Sequence, residues 1–316
     1  MTDIVTASAA RSVQARRRIR PHIHETPLIP ARNGHGGTLM FKAENFQLTG
    51  SFKIRGAASV MTAAASDQPM ITASSGNHGI GAARAAQSLG RKLTVVLPES
   101  VVPEKLAKIR SYGVEVVLHG AETGLAEQHA QHLARTTGAR YVSPYNDADV
   151  IAGQGTIGLE LLDQAAQIDT VFIAMGGGGL VSGIGAVLKA FSPATRIIGA
   201  AAEASQALAL SMAAGRVVDC NHDDTLADAV AGGIDPDTLT LPLATAVIDE
   251  VVTCSEAEIL AALRILAQEE NLLVEGAAAL ALAACLKRGG AVAGKTSVVL
   301  LCGGNFDGAR LRALVV

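Results

Sequence analysis

The feature that most constrains the fold is an alternation, over residues 70–145, of short apolar segments with alanine-rich segments of helical length. The apolar segments predict strands at residues 70–73, 93–97, 114–118 and 141–142. The intervening segments predict helices at residues 78–89, 104–112 and 126–136. Gly90 and Gly113 follow two of these helices, and glycine commonly ends a helix. This order predicts a parallel sheet covered by helices, in a unit the size of a small domain.

The same alternation returns in the second half of the chain. Strands are predicted at residues 171–175, 196–201 and 297–302, and helices at residues 154–164, 180–191, 255–268 and 276–286. An amphipathic helix is predicted before Pro21, and a strand at residues 38–41. We therefore predict an α/β fold with two open, twisted, mostly parallel sheets covered by helices. The predicted large domain is discontinuous, residues 1–62 and 149–316, and the predicted small domain is residues 66–146.

The most informative motif is K-A-E-N-F-Q-L-T-G-S-F-K-I-R-G-A at residues 42–57. It predicts a strand end, a turn and a helix start, with Ser51 as the N-cap and Lys53 in the first helical turn. The helix dipole and the exclusion of water by Phe52 both disfavour a charged amine at Lys53. An uncharged lysine is a nucleophile that can form a Schiff base. The alternative is a solvated surface lysine.

A glycine loop lies between a predicted strand and a predicted helix. It consists of Gly176, Gly177, Gly178 and Gly179. Successive N–H groups at a helix start favour binding of a phosphate, and a tight turn without a ligand is the alternative. A dinucleotide site, with Glu203 as the ribose-binding acid, is a further alternative. The dinucleotide spacing is not met, because Ser182 stands where its third glycine belongs, and no Lys-Ser/Thr pair follows to make a P-loop.

Two further motifs follow predicted strands, where ligands bind in open α/β sheets. The first comprises Ser74, Ser75, Gly76, Asn77 and His78. Its hydroxyls, amide and free N–H groups at a helix start predict a carboxylate-binding loop, and an ordinary N-cap is the alternative. The second is C-G-G-N, which begins at Cys302. Its thiol on its own is equally compatible with a core position.

Composition excludes several classes of protein. The net charge of −3 over 316 residues gives no basic surface for nucleic acid. The longest apolar run, residues 277–286, is too short to span a membrane. The four cysteines have no pairing or metal-binding spacing, which favours a reducing cytoplasm. The histidine pairs at positions 22 and 24 and at 129 and 132 have no third ligand nearby, so no metal is predicted.

Six motifs together resemble a known family. In order they are G-S-F-K-I-R-G-A, S-S-G-N-H-G, A-G-Q-G-T-I-G-L-E, G-G-G-G-L-V-S-G, L-L-V-E-G-A and C-G-G-N. This set resembles the pyridoxal-phosphate (PLP) enzymes of the tryptophan-synthase-β fold, and within them the serine/threonine dehydratase and serine racemase group. The resemblance covers about residues 10–310. It implies a PLP cofactor in the cleft between the two domains, and a short, catabolic kind of dehydratase without a regulatory domain.

The resemblance also implies roles for individual residues. Cofactor-binding residues are expected to be Phe52, Lys53 (through a Schiff base), Asn77 (at the phenolic oxygen), Gly176, Gly177, Gly178 and Gly179 (at the phosphate), Glu275 (near the ring) and Cys302 (at the pyridine nitrogen). Substrate-binding residues are expected to be Ser74, Ser75, Gly76, Asn77 and His78. Lys53 and Ser75 are the expected catalytic residues, because Ser75 resembles the serine that exchanges a proton in racemases of the group.

The implied reaction is β-elimination of L-threonine or L-serine to a 2-keto acid and ammonia. A thiol at position 302 cannot keep the ring nitrogen protonated, which favours prompt elimination. Alternatives are an amino-acid racemase and a dehydratase of hydroxyaspartate, phenylserine or a hydroxyectoine-derived amino acid. A non-catalytic ligand-binding protein is the alternative from another class. A homodimer is expected from the resemblance alone, with an amino acid as the small-molecule substrate.

Two departures from the family pattern bear on these expectations. Ala209 stands six positions after Glu203, where members that bind a divalent cation have an aspartate, so no metal is expected. Ala229 replaces the glycine of the family motif A-D-G. This change is expected to reshape the pocket beside the substrate side chain and leaves the preferred β-hydroxy amino acid open.

Overall fold

The computed structural model describes residues 3–33, 37–290 and 293–315, and the following elements lie in those ranges. The strands are β1 (Leu28–Pro30), β2 (Thr38–Ala43), β3 (Met70–Ala73), β4 (Leu93–Leu97), β5 (Glu115–Leu118), β6 (Arg140–Tyr141), β7 (Thr170–Ala174), β8 (Arg196–Ala202), β9 (Glu250–Cys254) and β10 (Thr296–Leu301). The helices are α1 (Asp3–Ile19), α2 (Lys53–Ala63), α3 (Asn77–Leu89), α4 (Pro103–Arg110), α5 (Thr123–Thr137), α6 (Ala148–Gln164), α7 (Gly179–Phe191), α8 (Ala207–Ala214), α9 (Thr240–Val247), α10 (Glu256–Gln268), α11 (Gly276–Lys287) and α12 (Gly308–Val315).

The larger sheet has six strands in the order β1-β2-β10-β7-β8-β9. Its neighbouring strands are parallel except for the antiparallel pair β1–β2. Helix α11, which is alanine-rich and almost wholly buried, packs across β7, β8, β9 and β10. Apolar residues of α6 and α7, among them Ile157 and Ile184, belong to the same apolar core as the strands. The sheet is therefore buried under helices, as parallel sheets generally are.

The smaller sheet has four parallel strands in the order β5-β4-β3-β6. Successive residues of a strand point to opposite faces, and the packing of β3 follows this rule. Met70 lies in an apolar cluster with residues of α2 and α3, including Ile54. Ile71 lies in a separate cluster with Ala126 and Ala130 of α5. Helix α2, which begins at Lys53, is thus anchored in the core of the smaller sheet.

The predicted α/β fold with two mostly parallel sheets is confirmed. The first helix ends at Ile19, before Pro21, as predicted. Strands β1 and β9 and helices α8, α9 and α12 were not predicted from the sequence. Strand β1 was missed because it has three residues and ends in Pro30, and proline is confined to edge positions in sheets. The domain boundaries at residues 62–66 and 146–149 stay a prediction. No helix in the described ranges has both the length and the apolar character needed to cross a membrane.

Candidate active site

The backbone before Lys53 is fixed by contacts with the end of the larger sheet. Ser51 forms an antiparallel bridge with Gly303, and the Phe52 N–H donates to the Cys302 carbonyl at 3.1 Å. Helix α2 therefore begins at Lys53, with Phe52 as its N-cap in a helical conformation. The prediction that Ser51 is the N-cap is wrong, because the Ser51 backbone pairs with Gly303 and its buried hydroxyl has no hydrogen-bond partner among the described residues. Lys53 does lie in the first helical turn, as predicted.

The Lys53 amine lies in a largely dehydrated position. Its Nζ donates a hydrogen bond to the Pro144 carbonyl at 2.9 Å and lies 5.1 Å from the centre of the Phe52 ring. Burial lowers the pKa of Lys53 to about 8, although Cys302 and Glu275 act in the opposite direction. An amine with this pKa is unprotonated in roughly a tenth of molecules at pH 7, far more than an ordinary lysine, and the unprotonated state is the one that a nucleophile or a base requires.

A buried network of ion pairs connects helix α2 to β2 and α6. The Arg55 guanidinium is fully buried and bonds Glu44 at 2.8 Å and Glu160 at 2.5 Å. Lys42 of β2, also fully buried, donates to the same Glu160 at 2.6 Å. Two cations therefore meet two carboxylates inside the protein. Because each charge has partners, the network holds α2 against β2 and α6 without leaving an unpaired buried charge.

The glycine loop follows β7 and ends at the first residue of α7. Gly178 has a φ of +88°, a conformation that L side chains rarely adopt. A Cβ on Gly177 would lie 2.5 Å from Cγ of Tyr145, so the loop backbone packs directly on that ring. The N–H groups of the four glycines donate to no acceptor in the described part of the chain. Free N–H groups at a helix start form a site for a phosphate.

The Asn77, Glu275 and Cys302 side chains meet beside the lysine. Asn77 Nδ2 donates to both oxygens of Glu275, at 2.9 Å each, and Cys302 Sγ lies 4.0 Å from Glu275 Oε1. Burial raises the pKa of Glu275 to about 7 and Asp228 adds to the rise, while hydrogen bonds from Asn77 and the Asn305 N–H oppose it. Burial also holds the pKa of the Cys302 thiol well above its usual value, so it stays a neutral thiol.

The loop from Ser74 to His78 connects β3 to α3. Gly76 is the N-cap of α3, and its N–H donates to Ser74 Oγ at 3.2 Å. The His78 imidazole lies within hydrogen-bond distance of Thr72 Oγ1 (2.9 Å) and the Val142 carbonyl (3.0 Å). Burial and the nearby Lys53 lower the pKa of His78 to about 3. This imidazole is therefore neutral at physiological pH, and its Nε2 is used in contacts within the protein.

One cleft of about 1150 Å³ brings these groups together. Every residue expected at the site lines it: Phe52, Lys53, Ser74, Ser75, Gly76, Asn77, His78, Gly176, Gly177, Gly178, Gly179, Glu275 and Cys302. Sequence reasoning missed Asn305 and Tyr145, which also line the cleft. Asn305 ends the motif C-G-G-N and could have been noticed there, whereas no pattern marks Tyr145. Within the described residues, no three His, Cys, Asp or Glu side chains are placed to hold a metal ion.

The residues present fit pyridoxal phosphate. Four N–H groups that have no acceptor among the described residues can bind an anion, and an amine with a lowered pKa lies within the same cleft. An amide donor and a neutral thiol lie beside that amine. The dinucleotide alternative is not supported, because Glu203, its expected ribose-binding acid, is not among the residues that line the cleft.

Comparison with known proteins identifies the family. Residues 19–303 match the family described as pyridoxal-phosphate dependent enzyme. The chain belongs to this family of PLP-dependent enzymes. It is 40% identical to an L-threonine ammonia-lyase of Geobacter sulfurreducens over 297 residues, covering 92% of this chain and 73% of that protein.

Solved structures give the same result. A threonine deaminase from T.th. is 40% identical, with a TM-score of 0.86, and the match covers 94% of this chain and 98% of that one. A maize serine racemase is 31% identical, with a TM-score of 0.89 and coverage of 96% and 95%. The predictions of the family, of PLP as the cofactor and of a PLP-dependent ammonia-lyase are confirmed.

Proposed function

We propose that the physiological reaction of this PLP-dependent ammonia-lyase is the conversion of L-threonine, and of L-serine, to the corresponding 2-keto acid and ammonia. The observation that carries the proposal is the Lys53 amine, with its lowered pKa, in the same cleft as a glycine loop with free N–H groups and a carboxylate-binding loop. The names of the 40%-identical relatives support threonine as the substrate.

In the proposed arrangement each part of the cofactor has a partner. Lys53 would hold its aldehyde carbon, the four glycine N–H groups its phosphate and Asn77 its phenolic oxygen, and Cys302 would face its pyridine nitrogen. When bound, PLP draws electrons from the α-carbon of the amino acid, which makes the α-proton acidic. The neutral Cys302 thiol cannot supply a full proton to the pyridine nitrogen, so the electron demand stays moderate and elimination is favoured.

The chain's own residues supply binding and proton transfer. The N–H groups at the start of α3, beside Ser74 and Ser75, would bind the substrate carboxylate, because a helix start attracts anions. Lys53 is the base for the α-proton, since a pKa of about 8 leaves it partly unprotonated at neutral pH. The bond from the β-carbon to its hydroxyl then breaks, and the hydroxyl takes up one proton and leaves as water. The α-proton that Lys53 accepted balances this proton. The released enamine takes up one water molecule in solution and gives the keto acid and ammonia.

A serine-type racemase is the second candidate. The Ser75 side chain lines the cleft together with Lys53, so the cleft holds two groups that can exchange a proton. A dehydratase of hydroxyaspartate, phenylserine or a hydroxyectoine-derived amino acid is the third. Ala229, which replaces the glycine of the family motif, lines the same cleft and adds a methyl group to its wall.

A panel assay separates these candidates. Keto-acid release is measured with L-threonine, L-serine and the other β-hydroxy amino acids, and the remaining amino acid is analysed for its D-enantiomer. Highest kcat/KM with L-threonine is the expected result. A D-enantiomer formed without keto acid would favour the racemase instead. Lys53→Ala should abolish both activity and the visible absorbance of the bound cofactor, whereas Lys92→Ala, at an exposed lysine, should change neither.

We also propose that the protein is a cytoplasmic homodimer, that residues 1–62 with 149–316 and residues 66–146 form its two domains, and that it needs no divalent cation. The dimer, the compartment and the domain boundaries rest on the family resemblance and the sequence pattern. Sedimentation equilibrium tests the dimer, and limited proteolysis tests the boundaries. Keto-acid release in the presence of a chelator tests cation independence, and loss of activity would contradict it.

A further inference from the structure

Asn305 lies at the junction between the glycine turn before α2, the end of the larger sheet and the start of α3. Its side-chain Nδ2 donates to the Thr49 carbonyl at 2.8 Å and to Asn77 Oδ1 at 2.7 Å. The turn is shaped around this amide, because Gly50 has a φ of +72° and a Cβ there would lie 2.6 Å from Asn305 Oδ1. The Gly304 N–H also donates to the Gly50 carbonyl at 2.8 Å.

These contacts determine which way each amide points. A backbone carbonyl can only accept a hydrogen bond, so the NH₂ group of Asn305 must face Thr49. The second hydrogen of the same NH₂ group then faces Asn77, which must present its oxygen. The NH₂ group of Asn77 is thereby turned toward Glu275, whose oxygens accept from it at 2.9 Å each. One backbone carbonyl thus fixes the polarity of two successive side-chain amides.

Fixing Asn77 in this orientation has a chemical consequence. Its NH₂ group carries two hydrogens, and one of them, shared between the two Glu275 oxygens, accounts for both 2.9 Å contacts. The second hydrogen then remains for the cleft that Asn77 lines and in which the cofactor is to be held. A donor directed into the cleft stabilises a phenolic oxygen that bears negative charge, whereas the opposite orientation would present a carbonyl oxygen and repel it.

We propose that Asn305 is a positioning residue that holds the Asn77 amide with its donor toward the phenolic oxygen of the cofactor. Asn305 does not itself need to touch the cofactor, because it acts through Asn77. It also joins the two sheets, since Asn77 begins a helix on the smaller sheet and Asn305 follows the last strand of the larger one. The inference rests on the proposed role of Asn77 at the phenolic oxygen.

The test is the pH titration of the visible absorbance of the holoenzyme. Asn305→Asp replaces the donor with an acceptor, so Asn77 should rotate and lose its donor to the phenolic oxygen. The pH midpoint of the absorbance should then rise by about one unit, the size expected for one hydrogen bond to a charged group. Asn305→Ala removes the hydrogen bond to Asn77, so the Asn77 amide can adopt either orientation. This variant should therefore shift the midpoint by less, in the same direction. Asn221→Asp makes the same chemical change at an exposed position and should have no effect.

A double-mutant cycle separates positioning from a simple effect of added charge. The charged and titratable groups facing Asn77 and the cofactor, namely Glu275, Asp228, Lys53 and Cys302, stay unchanged in every variant. In an Asn77→Ala background, Asn305→Asp should cause no further shift if it acts through Asn77. A shift of the same size in that background would overturn the proposal, because it would show a direct field effect.

The remaining outcomes are also decisive. Asn305 is exposed and lines the cleft, so its variants should fold, and circular dichroism of each variant tests this. The kcat for L-threonine should fall while KM changes little, because the proposed carboxylate site consists of backbone N–H groups at the start of α3, which these side-chain changes leave in place. A midpoint for Asn305→Asp equal to that of Asn221→Asp, in an enzyme that still releases keto acid, would overturn this inference alone. A wild-type protein without visible absorbance or keto-acid release would overturn the proposed function as well.

Discussion

Gly177→Ala is a direct test of the glycine loop as the phosphate site. The new Cβ would lie 2.5, 2.6 and 2.7 Å from Cγ, Cδ1 and Cδ2 of Tyr145, whereas carbon atoms pack at about 3.5–4.0 Å. The new Cβ would therefore lie on the order of 1 Å too close to the ring. The Tyr145 ring cannot turn away freely, because its hydroxyl accepts the Asp235 N–H at 2.8 Å. The loop must shift instead, at a cost of about 1–3 kcal/mol.

A shifted loop misdirects its N–H groups, so PLP affinity should fall by about tenfold to a hundredfold, at roughly 1.4 kcal/mol per factor of ten. Titration of the apoprotein with PLP, followed by visible absorbance, measures the dissociation constant. Gly124→Ala is the matched control, since a Cβ there meets nothing within 4 Å, and its affinity should be unchanged. Adding Tyr145→Ala to Gly177→Ala should recover much of the affinity. Gly177→Ala binding PLP as tightly as the wild type would refute the reasoning.

Three further predictions follow from the buried charges. Arg55→Ala leaves two buried carboxylates without their cation, so the free energy of unfolding in urea should fall by about 3–5 kcal/mol. Arg196→Ala, which removes an exposed ion pair with Glu250, should lower it by less than about 1 kcal/mol. Between pH 4.5 and 7, native Glu275 keeps a proton that the unfolded chain loses. The apoprotein should therefore lose stability as pH rises through that window, by up to roughly 3 kcal/mol, and Glu275→Gln should flatten the slope in urea titrations. The rate at which PLP attaches to the apoprotein should rise with pH around a midpoint near 8, from Lys53, and a midpoint above pH 10 would contradict burial as the cause.

Local patterns in the sequence were sufficient for the elements that place the site. Gly90 ends α3 in the left-handed conformation with a φ of +60°, as a helix-ending glycine should. The three cleft-lining motifs that begin at Ser74, Gly176 and Cys302 follow the ends of β3, β7 and β10, which is where parallel sheets place ligands. The sequence failed where a distant contact decides the local structure. Serine is a favoured N-cap residue, but Ser51 pairs instead with Gly303, which lies 252 positions later in the chain. No local sequence pattern can predict a pairing over that separation.

The same limit applies to polar contacts between elements. Asn305 reaches Asn77 across 228 positions, and the Arg55 network joins side chains from β2, α2 and α6. Helix and strand propensities and hydrophobic periodicity depend on neighbouring residues only, so they cannot predict hydrogen bonds or ion pairs between distant segments. Motif resemblance placed Asn77, Glu275 and Cys302 in one site, but it gave no indication that Glu275 is held by Asn77 and that Asn77 is in turn held by Asn305.

Lys53 and Arg55 are two residues apart on α2, and their pKa values shift in opposite directions. Burial disfavours the charge on both. The carboxylates of Glu44 and Glu160 reverse the effect for Arg55 and raise its pKa, whereas Lys53 has a carbonyl as its hydrogen-bond acceptor and only weaker opposing effects nearby. The difference therefore comes from the partners and not from the depth of burial. One helix can consequently be anchored by a permanent cation while it presents, half a turn earlier, an amine that gives up its proton near neutral pH.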